Sequence, residues 1–325
     1  MNRLFVAGRR PLNFRHYQPG DESAQLAIYN TVGASLPKFK PATLFEIQRR
    51  TQNKDFDPTT RYYAVDQGKT VAYSTFQCNG RISYPWCLPG HESAAEPLFN
   101  HVLQAMKQRG IRTAFAAYRG DWPTVNDFFK KFGFVHARDM VNFVLAFDNM
   151  PTPSARVRSS IAPATPEDIP KIFALAPSIF RAPTAEALQQ ALFHNPYLAR
   201  NEVFIMRRGD GSPIAAATFI TNPTYADPRT VDSSMPCFRL GAFGTEGMTT
   251  KRIKGMFSLA AALDKSLFGL GMDFLAYTAC RLGEEDDIWS FAAQVATDVP
   301  ILYSFYQRNF ERQGSFPVYE KDLTA

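Results

Sequence analysis

The stretch VNDFFKKFGF, residues 125–134, is the most informative part of the chain. Its apolar side chains recur at helical spacing and a Gly-Phe pair follows, which predicts an amphipathic helix that ends at a glycine. The residues before it predict a strand at 111–118 and a long helix at 94–109. A helix, a strand and a second helix in this order are typical of an α/β domain.

The same order of elements is predicted a second time, after a break in composition. Residues 148–160, DNMPTPSARVRSS, hold prolines and small polar residues without periodicity, which is typical of a linker. We therefore predict two domains, residues 1–150 and 161–325, joined by a linker at 151–160. In the second copy the predicted elements are a hairpin at 202–220, a third strand at 237–243, a long helix at 251–269, a strand at 272–280 and a closing helix at 299–309.

These segments resemble the GNAT superfamily of acyl-CoA-dependent N-acyltransferases, in two tandem copies. In the first copy the resemblance rests on Pro89-Gly90, the helix after it and residues 125–134. In the second copy it rests on TTKRIKGMFSLAAAL, residues 249–263, and LYSFYQRNF, residues 302–310. The resemblance implies an α/β fold in which each domain has a mixed, mostly antiparallel sheet flanked by helices.

The resemblance also implies a coenzyme A site in the second copy. The family pattern Gln/Arg-x-x-Gly-x-Gly/Ala opens a helix whose free backbone N–H groups bind the pyrophosphate. Arg252 and Gly255 match its first two fixed positions, and Phe257 departs from the third. A backbone N–H on the third strand is implied to stabilise the oxyanion. The predicted cofactor-binding residues are Leu240, Gly241, Ala242, Arg252, Ile253, Lys254, Gly255 and Met256.

The first copy lacks both features that the family uses. No basic residue stands three positions before a glycine in its loop at 89–97, where Glu92 and Glu96 would repel a pyrophosphate. Phe129 stands where many GNAT enzymes have a proton-donating tyrosine, whereas the second copy offers Tyr306, with Tyr303 one turn earlier. We therefore predict a single working site, in the second copy.

The implied reaction is direct transfer of an acyl group from acetyl-CoA to an amine. Tyr306 is predicted to donate a proton to the departing thiolate. Glu246 is the predicted base, and Glu202 is the alternative. The acidic run at residues 284–287 is interpreted as a solvated loop or a surface for a cationic amine.

Charge, apolar runs and cysteine content limit the kinds of partner that we expect for this chain. The 325 residues carry a net charge of +6 without a basic block, so we expect no nucleic acid partner. Apolar runs are too short for a membrane span or a signal peptide, and four cysteines without a metal-binding spacing predict a cytoplasmic, metal-free protein. The acceptor is expected to be a small-molecule or peptide amine, and the protein a monomer or homodimer.

Two other functions remain open from the sequence. One is a non-catalytic acyl-CoA-binding or regulatory protein, because both copies depart from the family motifs. The other is a tandem-GNAT aminoacyl ligase, which would need a basic groove for charged tRNA.

Overall fold

The structure is a computed structural model, and the part of the chain that it describes falls into two compact units. The described residues are 12–39, 41–52, 56–146, 150, 152–175, 182–194, 203–218, 253–256, 258–261, 266–282 and 290–324. Unit 1 comprises residues up to Ala137 together with Val318–Ala325, and unit 2 comprises Arg138–Pro317.

Unit 1 is a sheet with helices on both faces. Its elements are β1 Asn13–His16, α1 Asp21–Gly33, α2 Leu44–Thr51, β2 Arg61–Asp66, β3 Lys69–Thr75, β4 Trp86–Cys87, α3 Ala95–Gln108, β5 Thr113–Ala117 and α4 Pro123–Lys131. Strands β1 to β4 pair antiparallel in chain order. The β2–β3 hairpin turns at Gln67 and Gly68, both with positive φ, as a tight two-residue turn requires.

Unit 2 repeats this order of elements. They are α5 Ala155–Ser160, β7 Ile161–Pro163, α6 Ile169–Leu175, α7 Ala185–Phe193, β8 Val203–Arg207, β9 Pro213–Thr218, β10 Ile253–Met256, β11 Ser258–Ala261, α8 Ser266–Leu282, β12 Ser290–Ala296 and α9 Pro300–Asn309. Strands β7, β8, β9 and β11 form an antiparallel sheet. One core packs beneath α8 and α9 around Phe274 and Phe305, and a second packs beneath α6 and α7 around Ile172 and Leu188.

Two long strands explain why the units divide before the predicted linker. Strand β6, Val135–Ala146, begins in unit 1 and continues in unit 2. Strand β13, Glu311–Asp322, ends in unit 1, where residues 318–322 pair antiparallel with β5. The division therefore falls at residues 137 and 138 instead of 150. Part of the predicted linker is helix α5, which Ser154 caps by accepting a hydrogen bond from the Val157 N–H.

Two predictions for the second copy are wrong. Residues 253–256 and 258–261 are strands, although a helix was predicted over 251–269. Residues 266–282 are a helix, although a strand was predicted over 272–280. Over a run as short as 253–261 the apolar spacing fits the periodicity of a helix or that of a strand. The glycines at 269 and 271 lie inside the helix and do not mark the end of one. The predicted third strand at 237–243 lies outside the described residues.

Candidate active site

Two neighbouring strands of unit 2 part from each other. β10 pairs parallel with β12, with Ile253 opposite Ser290 and Met256 opposite Ala292. Directly afterwards β11 pairs with β9, and residues 293–296 of β12 pair with β6 on its other side. Among the described residues no pairing joins β11 to residues 293–296. We call this gap the unit 2 wedge. Backbone groups along its walls are available to an extended ligand.

Helix α8 begins shortly after β11, and two glycines in its first turns differ in their surroundings. Gly269 is exposed, and a Cβ built on it would meet no atom within 4 Å. A Cβ on Gly271 would lie 2.5 Å from the Phe305 ring, so Gly271 is required for close packing of α8 against α9. The first-turn amides of a helix have no acceptor within that helix, and an unobstructed glycine beside them suits a phosphate group.

These glycines give the family pattern a second match, beside the one at Arg252 and Gly255. Ser266-x-x-Gly269-x-Gly271 fits both glycine positions, with serine in place of Gln or Arg. Two glycines spaced two apart at the start of an apolar stretch are the sequence signal for this match. The signal is weak, because a glycine such as Gly269 is also typical of the end of a helix.

The predicted cofactor residues do not form a helix start. The peptide segment Ile253, Lys254, Gly255 and Met256 is strand β10, whose backbone bonds to β12, so it cannot offer the free amides of a first helical turn. Leu240, Gly241, Ala242 and Arg252 lie outside the described residues, as do the predicted base Glu246 and its alternative Glu202.

The two candidate proton donors both lie on α9 but differ in exposure. Tyr306 has no exposed surface and stacks on Phe143 with ring centroids 5.9 Å apart. Burial raises the pKa of Tyr306 well above its ordinary value, so the phenol stays protonated. Tyr303 is only partly buried, and its ring also contacts Phe143 at 5.9 Å. Tyr306 occupies the position relative to the opening proline of its helix that Phe129 occupies in α4.

Unit 1 has the same parting of strands, but side chains fill it. The Ile82 N–H donates to the Phe115 carbonyl at 2.9 Å, after which β4 pairs with β3. Between the parted segments the Tyr84 N–H donates to the Tyr118 hydroxyl at 2.7 Å, and burial raises the pKa of Tyr118 to about 12. The ring of Trp86 packs against those of Tyr84 and Tyr118 at 5.3 and 6.4 Å. An aromatic cluster therefore occupies the space that is a gap in unit 2.

The entrance to α3 in unit 1 carries acids. The Glu92 carboxylate accepts a hydrogen bond from the Gly90 N–H at 2.9 Å. Glu96 lies in the first turn and pairs with Lys131. A carboxylate of the chain thus takes the hydrogen bond that a phosphate would need.

Comparison with solved structures identifies the fold. A GCN5-related N-acetyltransferase from Sphaerobacter thermophilus matches with a TM-score of 0.63 and 14% identity over 96% of both chains. A glucosamine N-acetyltransferase region of a fungal multi-domain GH3 β-N-acetylglucosaminidase matches at 0.66 and 14%, covering 96% of this chain and 38% of that one. The chain has the GNAT fold.

A further match concerns the whole arrangement. A tandem GNAT protein from the clavulanic acid biosynthesis pathway matches with a TM-score of 0.53 and 11% identity, covering 97% of this chain and 99% of that one. The chain therefore matches a tandem GNAT protein over nearly its whole length. No protein-family model and no curated protein sequence matches the chain.

The described residues contain neither a membrane-spanning helix nor a cluster of metal-binding side chains. No helix there is long and apolar enough to cross a membrane. Within the same ranges, His, Cys, Asp and Glu side chains form no group of three that could hold a metal ion.

Proposed function

We propose that unit 2 binds an acyl-CoA, with acetyl-CoA as the first candidate, and transfers its acyl group to an amine. The observation that carries this proposal is the unit 2 wedge, together with the open position of Gly269 near the start of α8. The GNAT fold of the relatives supports the proposal. An acyl-CoA would supply the acyl group as an activated thioester.

The chain has a separate feature for each part of such a cofactor. The first-turn amides of α8 would bind the pyrophosphate, since they have no partner inside the helix and lie at its positive end. The unpaired edges of β11 and β12 would hydrogen-bond the extended arm, as a sheet edge binds a peptide. In unit 1 both features are blocked, by Tyr118 and by Glu92, so we propose one cofactor for each chain.

A tyrosine of α9 is the proposed proton donor to the departing sulfur. Tyr306 holds the position that the family resemblance assigns, but as a fully buried residue it must move to reach a ligand. Tyr303 is partly exposed and needs no such movement, so it is the better-placed donor of the two. Glu246 remains our proposal for the base, and the acceptor is proposed to be a small-molecule or peptide amine.

Titration and turnover together test the proposal. Calorimetric titration with acetyl-CoA should give one equivalent bound per chain. A free-thiol assay over a panel of small amines and peptides should then show release of coenzyme A that depends on the amine.

Other results of the titration and of the thiol assay would each change the proposal in a different way. Two equivalents of similar affinity would show that the aromatic cluster of unit 1 does not exclude the cofactor. Binding without thiol release over the whole panel would favour a non-catalytic acyl-CoA-binding protein. Absence of binding would refute the proposal.

A further inference from the structure

Three arginines of unit 1 come from separate segments and gather at one face of its sheet. We call Arg50, Arg61 and Arg81 the arginine cluster. Arg50 lies in the last turn of α2, Arg61 begins β2, and Arg81 forms an isolated parallel bridge with Phe115 ahead of β4. Among the described residues, these side chains take part in no hydrogen bond or ion pair with an acid.

Strand register places Arg61 and Arg81 on the same face. Arg61 pairs with Thr75 across β2 and β3, and the Ser83 N–H donates to the Thr75 carbonyl at 2.8 Å. Arg81 is two residues before Ser83, and the intervening Ile82 bridges to Phe76. Because alternate residues of an extended segment share a face, Arg61, Thr75, Ser83 and Arg81 lie on one side of the sheet.

The helices over this face are α1 and α2. Tyr63 shares the face of Arg61, and its hydroxyl hydrogen-bonds the Gln25 side chain of α1 at 2.8 Å. Helix α2, which carries Arg50, packs against α1. Arg61 and Arg81 therefore lie on the face of the sheet that α1 covers, and Arg50 lies on a helix that packs against α1.

The side chain of Arg61 is largely enclosed. Its Nε has no accessible surface and no hydrogen-bond partner, while its guanidinium lies 5.0 Å from the centre of the Phe56 ring. Arg50 and Arg81 are exposed, so an anion in solution can contact both side chains. An enclosed guanidinium nitrogen without a partner costs free energy, and the terminal nitrogens of Arg61 also have no acid partner among the described residues.

Burial disfavours the charge of Arg61. It lowers the pKa of Arg61, a nearby tyrosine opposes this shift, and the charge of Arg50 adds to it. Arg50 also acts electrostatically on Arg81. Arginines remain charged even so, and the cluster is a concentration of positive charge.

The acids near this face are held by other partners. Asp21 accepts two hydrogen bonds from Arg15, at 2.6 and 2.7 Å. Glu22 accepts from the Tyr17 hydroxyl at 2.5 Å and from the Thr51 hydroxyl at 3.0 Å. Neither carboxylate forms an ion pair with an arginine of the cluster, and Asp21 is already paired with Arg15.

We propose that the arginine cluster of unit 1 binds a small molecule through a multivalent oxyanion, either carboxylate or phosphate. Guanidinium groups pair with both kinds of anion through two parallel hydrogen bonds. The buried rings of Tyr63 and Tyr73 lie on the same face and form the floor beneath the cluster. This site is independent of acyl transfer in unit 2.

Thermal melts and calorimetry with two probe anions test the site. Citrate and inorganic phosphate are titrated separately into the full chain, against sodium chloride at matched ionic strength. At least one of the two anions should raise the Tm until the site is saturated. The anion that does so shows whether the site prefers a carboxylate or a phosphate. Arg61→Gln and Arg81→Gln should weaken that binding at least tenfold, whereas the exposed Arg112→Gln should leave it unchanged.

A second measurement needs no ligand. Since the arginines repel one another, Arg50→Gln should raise the Tm at low ionic strength, and the gain should shrink in high salt. Because Arg50 is exposed, this variant also tests anion binding if Arg61→Gln does not fold. An anion response no larger than that of sodium chloride, or equal responses in the cluster variants and Arg112→Gln, would overturn the proposal.

Discussion

Replacing Gly269 with glutamate should raise stability and weaken cofactor binding at the same time. Position 269 is exposed and open, so a longer side chain meets no obstacle. Removing a glycine from a helix gains about 0.5–1 kcal/mol, and an acid in the first turn adds about 0.3–1 kcal/mol. A carboxylate about 5 Å from a bound pyrophosphate, at an effective dielectric of about 20–40, costs about 2–3 kcal/mol, or about 30- to 150-fold in affinity.

The matched control is Gly269→Gln, which has the same shape without the charge. Urea unfolding should show both variants at least as stable as the wild type. Calorimetry with acetyl-CoA should show a much larger loss of affinity for Gly269→Glu than for Gly269→Gln. If Gly269→Glu is folded and binds acetyl-CoA as tightly as the wild type, the pyrophosphate does not lie at α8.

Three further predictions concern the proton-donating tyrosine of α9, the backbone at Gly80 and the carboxylate of Asp57. Replacing the proton-donating tyrosine of α9, as Tyr303→Phe or Tyr306→Phe, should lower kcat about 10- to 100-fold with little change in acetyl-CoA affinity. Normal turnover of the double variant would exclude both tyrosines as proton donors. Gly80→Ala should cost about 2–4 kcal/mol in urea unfolding, because φ is +93° and the new Cβ would lie 2.2 Å from the Thr113 carbonyl oxygen; a loss below about 1 kcal/mol would contradict this. Hydrogen bonds from a threonine and an arginine lower the pKa of Asp57 to about 2, so its carboxylate stabilises the fold above about pH 4 and loses that effect as the pH falls towards about 2. Because the side chain is 40% exposed, Asp57→Asn should cost only about 1 kcal/mol at pH 7 and much less near pH 2; an equal cost at both pH values would refute this.

Unit 1 was largely predictable from local sequence features. The helix predicted at 94–109 is α3, Ala95–Gln108, and the hairpin about Gln67-Gly68 is β2 and β3. Each combines a regular apolar pattern with a strong turn or helix boundary, so local preference and tertiary packing agree. The closing helix of the second copy was predicted for the same reason and is α9.

The middle of unit 2 was not predictable in this way. The residues of β10 and β11 become strands through pairing with β12 and β9, which lie far away in sequence. Gly271 lies inside a helix because Phe305 packs against it, and this contact is invisible in the local pattern. The proposed cofactor site depends on where the strands part, so the site predicted from the sequence falls on β10 and the site that we propose falls on α8.

The hydrogen bond between Tyr84 and Tyr118 gives unit 1 a natural reporter of its own opening. The Tyr84 amide has a phenol as its acceptor instead of a backbone carbonyl. Its exchange with deuterated solvent therefore depends on the position of one side chain, and a slow rate would mean that the aromatic cluster stays closed for long periods. Tyr118→Phe would speed exchange at this amide selectively. A single amide resonance could thus follow whether the filled gap of unit 1 ever opens.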